Sequence, residues 1–511
     1  MEFRRLILLF KRKAFTQITL LCISALCLNS CSSIPWLVKR TYERIEKEVQ
    51  IDEEIRQLDE VSQEDIDKVS AEINDSPNDS SLLRKRGRIY YLMSRYDKSL
   101  IDYDKAIRLS PNKDALYTER AKVHRLLGNY EKAVSDFTQA IKLNPTDEHN
   151  WAQRGNFYDE EGEFATALED YDNAIKLCSR PDLFLTYRSI TYAQLGKNKE
   201  ALADLDRVLN GPRDDWKKDA LENRAKIYIL IGESGKAMKA LDEWIAYDSS
   251  ADAPFTMRGK LRQWLGEDKK AIQDHAAAAA LCKKDIADEP DEPVWYRSCA
   301  DALDQAGEKN KASQLRDQAW TLLDKQWLKD KKARDEILSN LSALYLEGNP
   351  SKAKQKDLLQ KFEVQLKASK NADLIDDRGI FFFKTGQYKR AQQDFLSAHQ
   401  WKPEESGYTA NLIRSCVRLS QMDRAISLCK EALKEKPNDS LLNCTLAEVY
   451  AKTGHRQEAL AALEKAIAVD RFDGTPYFVR ANVLKASGDL EGSKKDELRA
   501  SIFDHYFFNE W

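Results

Sequence analysis

The chain has 511 residues, too many for one ordinary core and enough for several compact domains or one tandem array. Hydrophobic residues make up 42% and charged residues 32%, which excludes a membrane bundle and a disordered chain, and 13 Pro with 19 Gly leave long helices as the default. The 81 Lys plus Arg against 84 Asp plus Glu give a net charge of −3, without the basic excess that a nucleic-acid binder needs, and 9 Cys are too few for a disulfide scaffold.

Residues 1–30 read as a signal segment. Arg4, Arg5, Lys11, Arg12 and Lys13 precede an apolar run from Ala14 to Leu28, which is shorter than the roughly 20 residues of a membrane span. The run ends in Leu28, Asn29, Ser30 and Cys31, which resembles the bacterial lipobox, where a small residue before Cys permits cleavage and the Cys then receives lipid. That resemblance implies Cys31 as the first mature residue and the lipidation site. Ser32 after it implies sorting to the outer membrane, facing the periplasm. An uncleaved signal anchor is the alternative. Without the basic residues of this segment the chain is more acidic, so membrane association would rest on acyl chains rather than on a basic patch.

Residues 31–79 read as a charged helical tether. Tyr42, Ile45 and Val49, then Ile55 and Leu58, then Ile66, Val69 and Ile73 are spaced by three and four, which predicts short amphipathic helices. Ser62 with Asp65 predicts a helix start near residue 61.

From residue 80 onward the chain repeats. Gly87, Ala121, Gly155 and Ser189 recur at intervals of 34, as do Pro111 and Pro145, and a fixed period in this range marks stacked supersecondary units. Trp151, Gly155, Tyr158, Gly162, Ala167, Tyr171 and Ala174 fall at offsets that resemble the tetratricopeptide repeat (TPR). The same offsets return as Ala121, Gly128, Ala133, Phe137 and Ala140, as Gly379, Phe382, Gly386, Ala391 and Phe395, and as Ala447, Tyr450, Gly454 and Ala459. Eleven such units are expected, seven in residues 80–319 and four in 372–511, with 320–371 an atypical joint or degenerate repeat. The resemblance implies an all-α, right-handed α-solenoid of helix-turn-helix units. Small residues would sit where the two helices of a unit cross, aromatics beside them, and a mid-unit Gly in a left-handed turn.

Seven units carry Arg just before the first small residue and Asp sixteen residues later: Arg86/Asp102, Arg120/Asp136, Arg154/Asp170, Arg188/Asp204, Arg258/Asp274, Arg378/Asp394 and Arg480/Asp496. The units with Cys299/Leu315, Leu412/Leu428 and Leu446/Ala462 lack both partners, and Arg224 stands alone opposite Ala240. Joint gain and loss predicts a structural ion pair inside each repeat. The spacing breaks between Gly259 and Ala300, with an insertion around Lys283 to Asp291, and again where Gly348, Asn349 and Pro350 interrupt the helical pattern. Phe503, Tyr506, Phe507, Phe508 and Trp511 are expected to cap the open end of the array.

No catalytic, metal or cofactor-binding residues are expected. Gly232, Glu233, Ser234, Gly235 and Lys236 fail as a phosphate loop, because the first Gly stands too close to the second and Ala237 replaces the Ser or Thr that holds magnesium. His124 and His275 occupy aromatic core slots. Cys416 and Cys429 take facing core slots of one unit, where they serve either as small apolar residues or as a disulfide in an oxidising compartment.

Binding remains. The resemblance implies that the exposed faces of the first (A) helices line a groove, and in the first units this face carries Arg84, Lys85, Arg88, Lys122 and Arg125, followed by Gln153 and Asn156. Arg84, Arg88, Lys122, Arg125 and Asn156 are the candidate partner-binding residues, suited to an acidic segment or a free carboxylate. They depart from the family's carboxylate clamp, which places Lys and Asn where Arg84 and Arg88 stand. The alternative is a solvated charged helix face. The expected function is a non-enzymatic scaffold, a lipid-anchored TPR lipoprotein of the bacterial envelope that binds proteins or peptides and no nucleic acid. The alternatives are a cytosol-facing membrane-anchored adaptor, an accessory subunit of an envelope enzyme or secretion complex, and an enzyme whose site lies in 320–371.

Overall fold

The computed structural model describes residues 61–503, apart from Arg213, Asp330, Lys332, Gly348, Asn349, Pro350 and Lys370. Cys31 with its signal segment, the Gly348–Pro350 breaker and the terminal Tyr506, Phe507, Phe508 and Trp511 lie outside the described residues. Every regular element among the described residues is an α-helix. A lone α1 (Gln63–Asp75) comes first. Helical hairpins follow as α2 (Ser80–Leu92) with α3 (Tyr96–Leu109), α4 (Asp114–Leu126) with α5 (Tyr130–Leu143), α6 (Glu148–Glu160) with α7 (Phe164–Leu177), and α8 (Asp182–Gln194) with α9 (Asn198–Leu209). Next are α10 (Lys217–Leu230) with α11 (Ser234–Tyr247), α12 (Ala253–Trp264) with α13 (Asp268–Asp288), α14 (Pro293–Gln305) with α15 (Lys309–Lys329), and α16 (Arg334–Glu347) with α17 (Lys352–Ala368). The last four are α18 (Ala372–Lys384) with α19 (Tyr388–Trp401), α20 (Ser406–Arg418) with α21 (Met422–Glu435), α22 (Ser440–Lys452) with α23 (Arg456–Val469), and α24 (Gly474–Ala486) with α25 (Leu490–Phe503). None is long and apolar enough to cross a membrane.

The local sequence explains the hairpin. Ser62 and Asp65 form a reciprocal capping box at the start of α1, and Asp79 caps α2 by accepting from the Ser81 amide at 2.9 Å. At the bend, Gly128 turns the chain at φ 69°, and Asn129 N then reaches back to His124 O at 2.9 Å, which satisfies a carbonyl of the outgoing helix. Ser94 and Ser420 take the same left-handed slot where no Gly is present, at φ 55° and 58°. The helices cross closely at the small residues. A Cβ on Gly379 would stand 2.6 Å from Phe395 Cε1, so only Gly admits that ring.

All seven expected Arg–Asp pairs form, at 2.6–2.8 Å. Each guanidinium uses Nε and Nη2 on the two carboxylate oxygens of its own hairpin. Nη1 of Arg86, Arg120, Arg154 and Arg258 also bonds the residue sixteen positions earlier, on the preceding helix: Ser70 of α1, Asp104, Thr138 and Asp242. The pair therefore links neighbouring repeats as well as the two helices of one. Arg224, with Ala240 in the Asp slot, pairs with Glu243 instead.

The segment between the two expected arrays is itself a hairpin. Leu338, Leu341, Leu344, Leu358 and Phe362 of α16 and α17 share one core with Trp320 and Leu323 before them and Leu374 and Phe381 after. The insertion near Lys283 is a continuation of α13, which runs 21 residues where most second helices run 14. A disulfide, Cys282–Cys299, ties α13 to α14 with a Cα separation of 5.6 Å. Cys416 and Cys429 stay free and fully buried, and burial pushes the Cys429 thiol up to about 12. The sequence put them in facing slots and did not pair Cys282 with Cys299, which sit on different repeats.

The chain divides into two compact units, one running through Phe157 with Glu169–Ser179, the other comprising Tyr158–Leu168 and everything from Arg180. Inside the second unit the last repeat folds back on the first helices of earlier ones. Leu498 and Ile502 of α25 enter one core with Leu221, Ala225, Met257 and Leu261 of α10 and α12. Phe503 stacks edge-on against Phe472 at 5.4 Å, in a cluster that includes Leu230 of α10.

Candidate functional site

In the first unit, Arg84 and Arg88 lie about one turn apart on α2, and Lys122 and Arg125 on α4, all half-buried on the A-helix face. The structure brings these four together around a residue the sequence reading missed, Glu119. Arg84 donates Nε and Nη2 to Glu119 Oε1 at 2.9 and 2.7 Å, and the Tyr103 hydroxyl of α3 donates to Oε2 at 2.8 Å. Arg88 stacks over Tyr91 at 5.0 Å, and its buried Nε makes no hydrogen bond. Lys122 is held below its ordinary pKa, first by desolvation and then by the fields of Arg88, Arg125 and Arg84, against the opposing pull of Glu119. Four cations thus gather beside the Glu119 carboxylate. Burial and Glu119 together push the Tyr103 phenol well up, which keeps it a donor.

Glu119 follows Arg84 by 35 positions, one repeat plus one. That offset is the only sequence signal for it, since residues one repeat apart on A helices are neighbours. Asn156 is placed differently: its Oδ1 accepts from the Tyr171 hydroxyl at 2.7 Å.

The A helices of later repeats carry the opposite chemistry. Asn411 of α20 donates to both oxygens of Asp376 on α18, at 3.1 and 2.9 Å, and Ser339 bonds Asp377. Arg414 of α20 pairs with the buried Glu448 of α22 at 3.1 Å, one repeat further on. Burial pushes Asp376 to about 7, helped by the charges of Asp377 and Asp373, and Asp377 to about 6, helped by Asp373.

The histidines behave as core residues. His275 is buried against Gly259, neither ring nitrogen has a hydrogen-bond partner, and burial lowers its pKa, so it is neutral. Asp147, Glu148 and His149 place three ligand atoms within 4.8 Å of one another, but Asp147 Oδ1 accepts from the His149 amide at 2.9 Å, which is the arrangement of a helix start.

The tetratricopeptide repeat family matches residues 85–113, 115–147, 164–325 and 418–478, more than half of the chain. The chain belongs to the tetratricopeptide repeat proteins. Among solved structures it is similar to yeast Tom70, at 18% identity over 81% of this chain and 82% of that one, with a TM-score of 0.29. It is similar also to YrrB, described as a TPR protein with an unusual peptide-binding site, at 19% identity over 35% and 92%, TM-score 0.29. A third is PilW, a type IV pilus biogenesis factor, at 20% identity over 39% and 92%, TM-score 0.35. No curated protein matches the chain.

Proposed function

We propose that this protein is a non-enzymatic scaffold that holds partner proteins or peptides on the A-helix face of its repeats. It is anchored through lipid on Cys31 in the bacterial envelope, at the outer membrane and facing the periplasm. The observation that carries the binding reading is the cluster of Arg84, Arg88, Lys122 and Arg125 beside Glu119. An unpartnered buried guanidinium nitrogen on Arg88, with three further cations beside it, favours an acidic segment or a terminal carboxylate as the group bound. The lipobox-like Leu28–Cys31 supports the anchor. The Cys282–Cys299 bond supports the compartment, because disulfides persist where the surroundings are oxidising.

Crosslinking in intact cells, followed by mass spectrometry, tests the reading. Partners should be envelope proteins, and Arg84→Glu, Arg88→Glu, Lys122→Glu and Arg125→Glu together should release them. Unchanged recovery from that variant removes the cluster from the account, and cytoplasmic partners alone would favour an adaptor facing the cytosol. Palmitate labelling of wild type but not of Cys31→Ala tests the anchor separately.

A further inference from the structure

The Arg before the crossing residue performs two tasks. It pairs with the Asp of its own hairpin, and Arg86, Arg120, Arg154 and Arg258 also bond the helix before. At α14 that position is Cys299, directly before the buried Ala300, and the Asp position sixteen residues on is Leu315. Both tasks are carried out there by other groups. The tie within the hairpin reverses its polarity: Arg316 of α15 bonds Asp301 at 2.8 Å and Asp304 at 2.6 Å, both on α14. The neighbouring Arg297 pairs forward, with Glu347 of α16.

The tie to the preceding helix falls to sulfur. Arg120 and Arg258 reach back sixteen residues, to Asp104 and Asp242 on the second helix of the previous hairpin. Cys299 reaches back seventeen, to Cys282 on the second helix of its own predecessor. The change of one residue accompanies the lengthening of α13, 21 residues against 14 in α11 and thus about two turns more, which carries the contact further along that helix. Cys282 and Cys299 are 2% and 0% exposed, whereas the side chains of Asp104 and Asp242 are 46% and 53% exposed. The two ties therefore answer to different chemistry. An exposed ion pair is screened by salt and indifferent to reductants, whereas a cystine is indifferent to salt and cleaved by a dithiol.

We infer that Cys282–Cys299 is the redox-sensitive counterpart of the arginine tie, a latch that fixes α14 on α13 when oxidised and loosens that junction when reduced. Reduction by a dithiol delivers two electrons and two protons to the sulfurs, leaves two thiols, and oxidises the dithiol to its own disulfide. The constraint across 17 residues is then lost, and the junction is held by the packing of Ala279 on Ala300 and Leu303. The ion pairs of the other repeats are untouched by the same reductant. The thiol–disulfide balance of the surroundings thus sets the rigidity of the second unit at this junction.

Amide hydrogen exchange on the full chain, with and without dithiothreitol, tests the latch once peptide mapping has located the bond. Dithiothreitol should accelerate exchange in residues 279–305 by about tenfold or more and leave α2 to α5 and α20 to α23 unchanged. A Cys282→Ala/Cys299→Ala chain should show the fast exchange without reductant. A second variant, Cys282→Ala/Lys283→Asp/Cys299→Arg/Leu315→Asp, installs the arginine tie; its exchange in 279–305 should be slow again and indifferent to dithiothreitol. Free thiols at both positions in chain isolated without reductant overturn the inference. So does unchanged exchange on reduction, equal acceleration throughout the second unit, or fast exchange in the folded arginine variant. If circular dichroism shows that the arginine variant is unfolded, the wild-type and Cys→Ala measurements decide.

Discussion

The A helices of α2 and α4 and those of α18, α20 and α22 occupy equivalent positions in the same repeat, yet they solve opposite electrostatic problems. In the first set four cations gather beside Glu119. In the second, Asp376 and Glu448 are buried and Asp377 half-buried, with the Arg414 guanidinium on Glu448 and neutral donors from Asn411 and Ser339 on the aspartates. The repeat fixes where a side chain points, and the residue placed there fixes what the face attracts. Excess charge left half-exposed is available to a partner, whereas charge that is buried and hydrogen-bonded inside the fold is committed to stability.

The sharpest way to break this contrast is to remove Arg414. Glu448 is 3% exposed, so Arg414→Ala leaves a buried charge unpaired and should cost about 3–5 kcal/mol in urea denaturation. Arg84→Ala should cost less, because Glu119, its side chain 12% exposed against 2% for Glu448, keeps the Tyr103 hydroxyl. Equal losses would mean that both faces are structural.

A second comparison uses the crossing slot. A Cβ on Gly379 meets Phe395 at 2.6 Å, and one on Gly87 meets Tyr103 at 3.0 Å. Gly379→Ala should therefore destabilise by about 1–3 kcal/mol through overpacking, and Gly87→Ala by less, as read from denaturation midpoints.

The pH responses should have opposite signs. Asp376 and Asp377 titrate near 7 and 6 in the fold against 3.8 when unfolded, so the native state holds extra protons between those values. Their contribution is fully present below 3.8 and is lost as pH rises through about 7. Lys122 is lowered from 10.5, so the unfolded state holds the extra proton there, and stability from this group rises with pH up to 10.5. Asp376→Asn should flatten the fall in the denaturation midpoint between pH 5 and 8, and Lys122→Met should flatten the rise at alkaline pH. A variant that leaves its slope unchanged shows that its group does not titrate as described.

The smallest effect expected is at the start of α1. Ser62→Ala removes the capping box and should cost about 0.5–2 kcal/mol locally, seen as faster hydrogen exchange in residues 63–75. If that loss spreads through α2 to α5, the basic face depends on α1 for its rigidity.

What could be read from the sequence follows from what is local. The 34-residue period, the mid-hairpin Gly, the cap at Ser62 and all seven Arg–Asp pairs lie within one hairpin, where sixteen residues of helix, turn and helix return the chain to itself with fixed geometry. The four cations were legible for the same reason, since 34 residues carry one A helix to the next. Glu119 was missed because it stands one position off that register and looks like any surface carboxylate until Arg84 is beside it. Cys282–Cys299 was missed because it joins two repeats across an extended helix, where the period gives no guide.

The sequence by itself determined the repeat, because short-range spacing dictates both the hairpin and its internal ion pairs. Only the tertiary structure decided that α25 lies on α10 and α12. That contact joins residues 230 and more positions apart, and it depends on how small differences in packing between successive hairpins accumulate.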